Sequence, residues 1–116
     1  MYREFSVPRD EEILNVIGEW PETEESGARL LKWEGSEGDS LTLSYDVLSR
    51  SVRARWTGRD GNELLDMYRE GASRLTVSSS PSAALISIEF NTGECAGALE
   101  IQVAPSLSVR DRLLYT

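Results

Sequence analysis

The sequence predicts an α+β protein: a predominantly antiparallel β-sheet of six or seven strands, curled or two-layered, with a short N-terminal helix. Apolar residues recur at helical spacing near the N-terminus, whereas apolar and polar residues alternate with a period of two between residues 28 and 103. Seven strands in 116 residues are expected to curl or fold into two layers around one core. We therefore expect a single domain over residues 1–116.

The helix is predicted over residues 10–18. Asp10 is placed to cap it, and acidic residues follow where the helix dipole favours negative charge. Ile13 and Ile17 lie on one apolar stripe at helical spacing, and Gly18 is a natural terminator. These features predict one short helix with a single apolar face.

Successive antiparallel strands are predicted wherever apolar residues alternate with polar ones. Glycine-containing turns interrupt the alternation, for example at residues 35–39 and 58–61. Because side chains alternate across a strand, the apolar positions of one parity should face the core. Among these positions we expect to find buried Trp33, Trp56, Ile88 and Phe90.

Residues 62–70 allow two interpretations. Leu64 and Tyr68 would share one face of a helix, whereas Leu65 and Met67 would alternate with polar residues in a strand. Nine residues between two strands fit a run of antiparallel strands slightly better than a helix does. The pattern thus favours a strand here and leaves a helix open.

The charge of the chain is strongly negative and unevenly distributed. The formal net charge is −8, and residues 1–40 contain eleven Asp or Glu against four Lys or Arg. Residues 41–116 contain nine Asp or Glu and eight Lys or Arg, so this part of the chain is nearly neutral. An acidic balance disfavours nucleic acids and anionic membranes as partners and permits a basic protein partner. A purely solvated N-terminal surface would have the same composition.

The candidate partner-binding residues are carboxylates of this first third and the tryptophan among them. Carboxylates steer a cationic partner and raise the association rate, whereas a tryptophan desolvated in an interface slows dissociation. The predicted set is Glu11, Glu12, Glu19, Trp20, Glu22, Glu24 and Glu25.

Residue types that many enzymes and metal sites need are missing. The sequence has no histidine, which excludes a Ser-His-Asp triad, an imidazole base and a histidine-ligated metal. The single cysteine, Cys95, allows no intrachain disulfide, has no basic neighbour to activate it and fits a reducing compartment. We therefore predict a cytoplasmic protein that is not an enzyme and uses no metal or cofactor.

Four arginines form the one basic cluster in the sequence: Arg50, Arg53, Arg55 and Arg59. On a strand, Arg53 and Arg55 project from the same face, and we expect neighbouring Asp and Glu residues to pair with them. Nucleic-acid binding is disfavoured because the cluster lacks interleaved exposed aromatic residues. No stretch approaches the roughly 18 apolar residues that a membrane span needs.

The segment Gly18-Glu19-Trp20-Pro21 follows the predicted helix and precedes an acidic loop and a first strand. This order resembles the opening of the immunity protein 50 family, small bacterial proteins that protect the producing cell from a polymorphic toxin. Residues 64–77 resemble a later strand–glycine–strand element of such proteins, and residues 86–90 and 99–103 resemble their final strand pair. The resemblance implies a non-enzymatic module that binds and blocks a protein partner such as a toxin.

Two other functions stay open on the sequence alone. An accessory or structural domain would associate with itself or with a larger assembly through an open sheet edge. A phage-encoded acidic inhibitor would mimic the charge of DNA. The sequence does not determine the oligomeric state. A neighbouring toxin gene would favour the immunity function, whereas oligomers that form without a partner would favour the structural one.

Overall fold

Nine strands and one helix form the regular structure of the part of the chain that the computed structural model describes, residues 4–93 and 95–115, with side chains as far as residue 112. The predicted class, mostly antiparallel strand with a short N-terminal helix, is confirmed. The elements are α1 (Asp10–Ile17), β1 (Glu22–Thr23), β2 (Arg29–Glu34), β3 (Ser40–Asp46), β4 (Ser51–Thr57), β5 (Glu63–Glu70), β6 (Ala72–Ser79), β7 (Ala84–Asn91), β8 (Cys95–Ala104) and β9 (Ser108–Tyr115).

The strands form two antiparallel sheets, so the chain adopts the two-layered form of the prediction. One sheet has the order β1-β2-β3-β4-β5 and the other the order β6-β7-β8-β9. The described residues contain more strands than the six or seven predicted. β1 has two residues, too few to show an alternation, and β9 is formed by the C-terminal tail.

Gly71 is the point at which the chain leaves the five-stranded sheet and enters the four-stranded sheet. β5 ends at Glu70 and β6 begins at Ala72, so the ambiguous segment before Gly71 is a strand rather than a helix. Gly71 has a φ of +87°, and a Cβ atom there would lie 2.8 Å from Thr92 Cγ2. Glycine is required at this crossing because a side chain would be strained and would collide.

The hydrophobic core lies between the two sheets. Trp33, Ile88 and Phe90 are buried, as predicted. Trp56, which was also expected to be buried, is only half-buried because it lies beside the irregular pairing at the end of β4. Other fully buried side chains come from both sheets and include Leu31, Leu41, Leu43, Tyr45, Val52, Leu75, Ile86, Leu99 and Ile101.

A buried carboxylate lies at one end of this core. The Oδ2 atom of Asp39 accepts a hydrogen bond of 2.9 Å from Trp56 Nε1. A Cβ atom on Gly35 would lie only 1.9 Å from Asp39 Oδ1. The absence of a side chain at Gly35 therefore leaves room for the Asp39 carboxylate in the turn between β2 and β3. Asp39 thereby provides a hydrogen-bond partner for the indole N–H of the half-buried Trp56.

The helix has nearly the predicted bounds, but its first turn differs from the prediction. Arg9 occupies the N-cap position without a side-chain capping bond, so the expectation that Asp10 caps the helix is wrong. The Asp10 carboxylate instead forms an ion pair with Arg29 of β2. Gly18 ends the helix in the left-handed conformation, as predicted. Ile13 is buried, and α1 lies against β6 and β7.

The two sides of the sandwich are closed in different ways. On one side, Ser6 pairs with the edge strand β6: its N–H donates to Ser73 O at 3.0 Å, and Leu75 N–H donates to Ser6 O at 2.8 Å. On the other side, Arg69 of β5 donates hydrogen bonds of 2.8 and 2.6 Å to the two carboxylate oxygens of Asp111 in β9. An ion pair therefore joins the edge strands β5 and β9.

This ion pair also packs on the core. The Arg69 guanidinium lies 5.0 Å from the centre of the Phe90 ring, within the range of a cation–π interaction. Hydrogen bonding to Asp111 raises the pKa of Arg69, and the same hydrogen bonding lowers the pKa of Asp111 below its usual range. Both groups are therefore charged at neutral pH, and the ion pair links the two sheets.

Candidate partner-binding surface

We term the seven predicted partner-binding residues the acidic surface. Five of them lie in two groups on the structure, and the other two lie between these groups. One group belongs to the first turn of α1, where Glu11 and Glu12 are exposed beside a shallow depression lined also by Arg9 and Asn15. Within the described part of the chain, neither glutamate forms an ion pair. Of the three carboxylates in this turn, Asp10 is paired with Arg29, whereas Glu11 and Glu12 have no ion-pair partner among the described residues.

The second group projects from the β1–β2 hairpin over the outer face of the five-stranded sheet. Glu22 Oε2 lies 3.4 Å from Lys32 Nζ, and Glu24 Oε1 accepts a hydrogen bond of 3.1 Å from Ser44 Oγ. Glu25 is exposed at the tip of the hairpin turn, residues 24–27. Glu22 and Glu24 are themselves exposed, so both carboxylates remain accessible despite these contacts.

A side-chain network connects the two groups. The Arg29 guanidinium donates to Asp10 at the start of α1 and to the Thr23 hydroxyl in β1. Burial, followed by the negative charge of Asp10, raises the pKa of the neighbouring Tyr45 to about 12. Tyr45 is therefore uncharged at neutral pH, and the network holds the acidic hairpin against the first turn of the helix.

Trp20 and Glu19 lie between the helix and the hairpin. Trp20 is 50% exposed, whereas the following Pro21 is buried and fixes the chain against the protein. Glu19 is half-buried, and neither it nor Glu25 forms an ion pair among the residues that the structure describes. The half-exposed indole therefore lies close in sequence to two carboxylates, Glu19 and Glu25, that no described cation neutralises.

Two of the four arginines in the predicted basic cluster are paired with carboxylates of the protein itself. Arg53 donates hydrogen bonds of 3.0 and 2.8 Å to Asp66, and Arg55 lies 3.9 Å from both Glu63 and Asp66. Hydrogen bonding to Asp66 raises the pKa of Arg53, and hydrogen bonding from Arg53 lowers the pKa of Asp66. The expectation that acidic neighbours pair with these arginines is confirmed.

The sequence reasoning missed several exposed apolar side chains. Val47 and Leu48 are 41% and 96% exposed in the β3–β4 connection, and Leu64 and Tyr68 are 56% and 60% exposed on β5. The signal for the first pair was present in the sequence, because two adjacent apolar residues stand in a turn between two strands. Two adjacent exposed apolar side chains in a turn, such as Val47 and Leu48, form a candidate contact for a protein partner.

The described residues offer few groups for chemistry. No cluster of three or more His, Cys, Asp or Glu side chains among them is arranged to hold a metal ion. Cys95 is a half-buried free cysteine at the start of β8. No helix in the same part of the chain is long and apolar enough to cross a membrane.

Comparison with known proteins gives one informative likeness. No protein-family model matches the sequence, and no curated protein matches it. Among solved structures, the chain matches a chain of the contact-dependent growth inhibition toxin–immunity protein complex from Klebsiella pneumoniae 342, with a TM-score of 0.82 and 21% sequence identity. The match covers 98% of this chain and 100% of that chain. The two chains share one fold, and at the level of the fold the predicted resemblance to a toxin-immunity family is confirmed.

Proposed function

We propose that the chain is a non-enzymatic immunity-type protein that binds and blocks a protein toxin. The observation that carries this proposal is the fold match over the whole of both chains to one chain of a toxin–immunity protein complex. That complex contains a toxin as well as an immunity protein, and the composition of this chain favours the immunity side. A sequence without histidine and with a net charge of −8 suits an acidic inhibitor better than a catalytic toxin.

The partner in this proposal is a basic protein, and binding takes place in the cytoplasm. Unpaired carboxylates at Glu11, Glu12, Glu19 and Glu25 give the chain a negative surface that the described cations do not balance. Complementary charge raises the association rate and suppresses wrong partners. The same charge repels nucleic acids and anionic membranes, so a protein is the partner that fits best.

Trp20 is the proposed anchor of this interface. Its indole is half-exposed while the adjacent Pro21 is buried, so the side chain is presented on a fixed stretch of backbone. Tryptophan is enriched among residues that dominate binding energy, because it buries a large area with little loss of conformational entropy. The surrounding carboxylates would form a charged rim that governs association.

A second candidate function, self-association, is favoured by one specific feature. β5 ends the five-stranded sheet, and its exposed side chains include Leu64 and Tyr68. An edge strand with exposed apolar side chains can pair with a second copy of the same strand. Light scattering over a hundredfold range of protein concentration distinguishes the two functions, because self-association predicts a mass that rises with concentration in the absence of any partner.

The proposal is tested by affinity capture from the source organism, with the captured protein identified by mass spectrometry. That protein is then expressed in a heterologous bacterium alone, with the chain, and with a variant in which Glu24 and Glu25 are both lysine. The proposal predicts growth arrest by the captured protein alone and rescue by the wild-type chain. Capture of copies of the chain only, or of a protein that leaves growth unaffected, contradicts it.

A further inference from the structure

The β3–β4 connection presents apolar side chains on a fixed backbone. Leu48 is 96% exposed, and the adjacent Val47 is also exposed. Asp46 Oδ1 accepts hydrogen bonds of 3.0 Å from Leu48 N–H and 3.4 Å from Ser49 N–H, which hold the turn in place. Because the backbone is already ordered, a partner that covers Leu48 loses little entropy in ordering this turn.

A cavity of about 280 Å³ opens beside this turn. It lies between residues 46–48, the start of α1 and the 24–27 hairpin turn, and its apolar walls are formed by Val7, Val47 and Leu48. Small-molecule sites usually span about 300–1,000 Å³ and enclose most of their ligand. A cavity of this size is better suited to one side chain of a protein partner than to a free ligand.

The charges that line the cavity favour a cation. Asp10 and Arg29 neutralise each other, and Tyr45 carries no charge at neutral pH. Asp46 accepts hydrogen bonds from backbone N–H groups but forms no ion pair within the described residues. The lining therefore has a net negative charge, contributed by the Asp46 carboxylate.

We propose that this cavity receives a lysine or arginine side chain of the toxin, while Leu48 contacts an apolar patch next to that residue. The aliphatic stem would pack against Val7 and Val47, and the cationic head would reach Asp46. The proposal rests on the proposed function, since it names a contact within the same complex. It adds a second anchor that lies outside the seven residues of the acidic surface.

Binding kinetics with the captured toxin test the cavity. Leu48→Ser removes an almost fully exposed apolar side chain, and Asp46→Asn removes the charge but keeps an acceptor for the turn. We expect Leu48→Ser to raise the dissociation rate about tenfold, as for a central contact, and Asp46→Asn to raise Kd about fivefold. The matched control is Leu64→Ser, a similar change on β5, which should alter both constants less than about twofold.

The partner residue is identified by changing each exposed lysine and arginine of the toxin to alanine. One of these changes should lose most of its effect when combined with Asp46→Asn, because the two side chains meet in the wild-type complex. Urea unfolding curves establish that the variants fold as the wild type does. If Leu48→Ser and Asp46→Asn bind as tightly as Leu64→Ser, the cavity proposal is wrong while the immunity function stands. If the wild-type chain binds no toxin, both proposals are wrong.

Discussion

The β4–β5 region and the N-terminal region differ in how far their charged side chains are paired with opposite charges. In β4 and β5, arginines and carboxylates occur in similar numbers and pair with each other, as in the two hydrogen bonds between Arg53 and Asp66. In the N-terminal region carboxylates outnumber cations, and Arg29 and Lys32 are committed to Asp10 and Glu22. The difference separates charges that stabilise the fold from charges that remain available to a partner.

Uncompensated charges of one sign repel each other and slightly destabilise a compact protein. A cluster of them is therefore more easily explained by an external partner than by the fold itself. The paired region carries no such excess and joins sheet to sheet through Arg69 and Asp111. Substitutions of the paired groups should therefore change the free energy of unfolding, whereas substitutions of the unpaired carboxylates should change partner binding.

The largest effect on stability is expected at Asp39, which is the structural exception within the acidic N-terminal region. Asp39→Ala leaves the indole N–H of Trp56 without its partner and should lower the free energy of unfolding by about 2–3 kcal/mol. Asp39→Asn retains an acceptor and should cost less than half of that. Urea denaturation measures both, with the exposed neighbour Glu37→Ala as the control. Equal losses for Asp39→Ala and Glu37→Ala would show that the hydrogen bond between Trp56 and Asp39 contributes little to stability.

Trp20 is expected to matter for binding rather than for folding. Trp20→Ala should raise the dissociation rate of the toxin complex about 30-fold, equivalent to about 2 kcal/mol for a hot-spot residue. Trp20→Phe, which keeps an aromatic ring, should raise it much less. Surface plasmon resonance measures the rates after circular dichroism has established that both variants are folded. An unchanged dissociation rate for Trp20→Ala would show that Trp20 does not contribute to the interface.

The Arg69–Asp111 ion pair should contribute a smaller amount to stability. Because both side chains are partly exposed, solvent screening limits the coupling, and a double-mutant cycle with Arg69→Gln and Asp111→Asn should give about 0.5–1 kcal/mol. Arg69→Gln alone should cost more than the coupling, since it also removes the contact with the Phe90 ring. A coupling energy of zero would mean that this pair does not join the sheets energetically.

The smallest expected effect is a dependence of stability on acid pH. Hydrogen bonding from arginine lowers the pKa of both Asp66 and Asp111 in the folded state. Their contribution is therefore present above the unfolded-state pKa of about 3.9 and is lost as the pH falls through the folded-state pKa. The free energy of unfolding should thus fall more steeply below about pH 4 in the wild type than in a variant carrying Arg53→Gln and Arg69→Gln. Identical dependence of stability on pH in the two proteins would show that pairing with Arg53 and Arg69 does not lower the pKa of Asp66 and Asp111.

Local patterns were sufficient to predict much of the fold. The helix and most strands follow from spacing within single segments, as in the alternation around Trp33 and Ile88, which the structure buries. The sequence left open whether the strands form one curled sheet or two layers, because a glycine such as Gly71 is compatible with a hairpin and with a crossing between sheets. The choice depends on contacts distant in sequence, including the hydrogen bond from Ala72 N–H to Arg50 O.

The acidic surface was predictable only as a list of charges. Counting residues identified the excess of carboxylates, but it did not show that Glu22 faces Lys32 while Glu11 forms no ion pair with any described residue. Those differences depend on which strands and turns become neighbours. Leu48 was missed for a related reason, since only the folded turn shows that an apolar residue is left exposed beside a cavity.

The central claim, that unpaired carboxylates guide a basic toxin to this protein, is tested most directly by association rates over a range of salt concentrations. Two double variants are compared. One carries Glu24→Lys and Glu25→Lys on the acidic surface, and the other carries Glu89→Lys and Glu100→Lys on the outer face of the four-stranded sheet. Both double variants change the net charge equally, and both are first shown to fold. Only the first double variant should slow association several-fold at low salt, and this loss should fade towards about 1 M salt, where the Debye length is about 3 Å. An association rate that does not depend on salt, or that is equally slow for both double variants, would contradict guidance by these carboxylates.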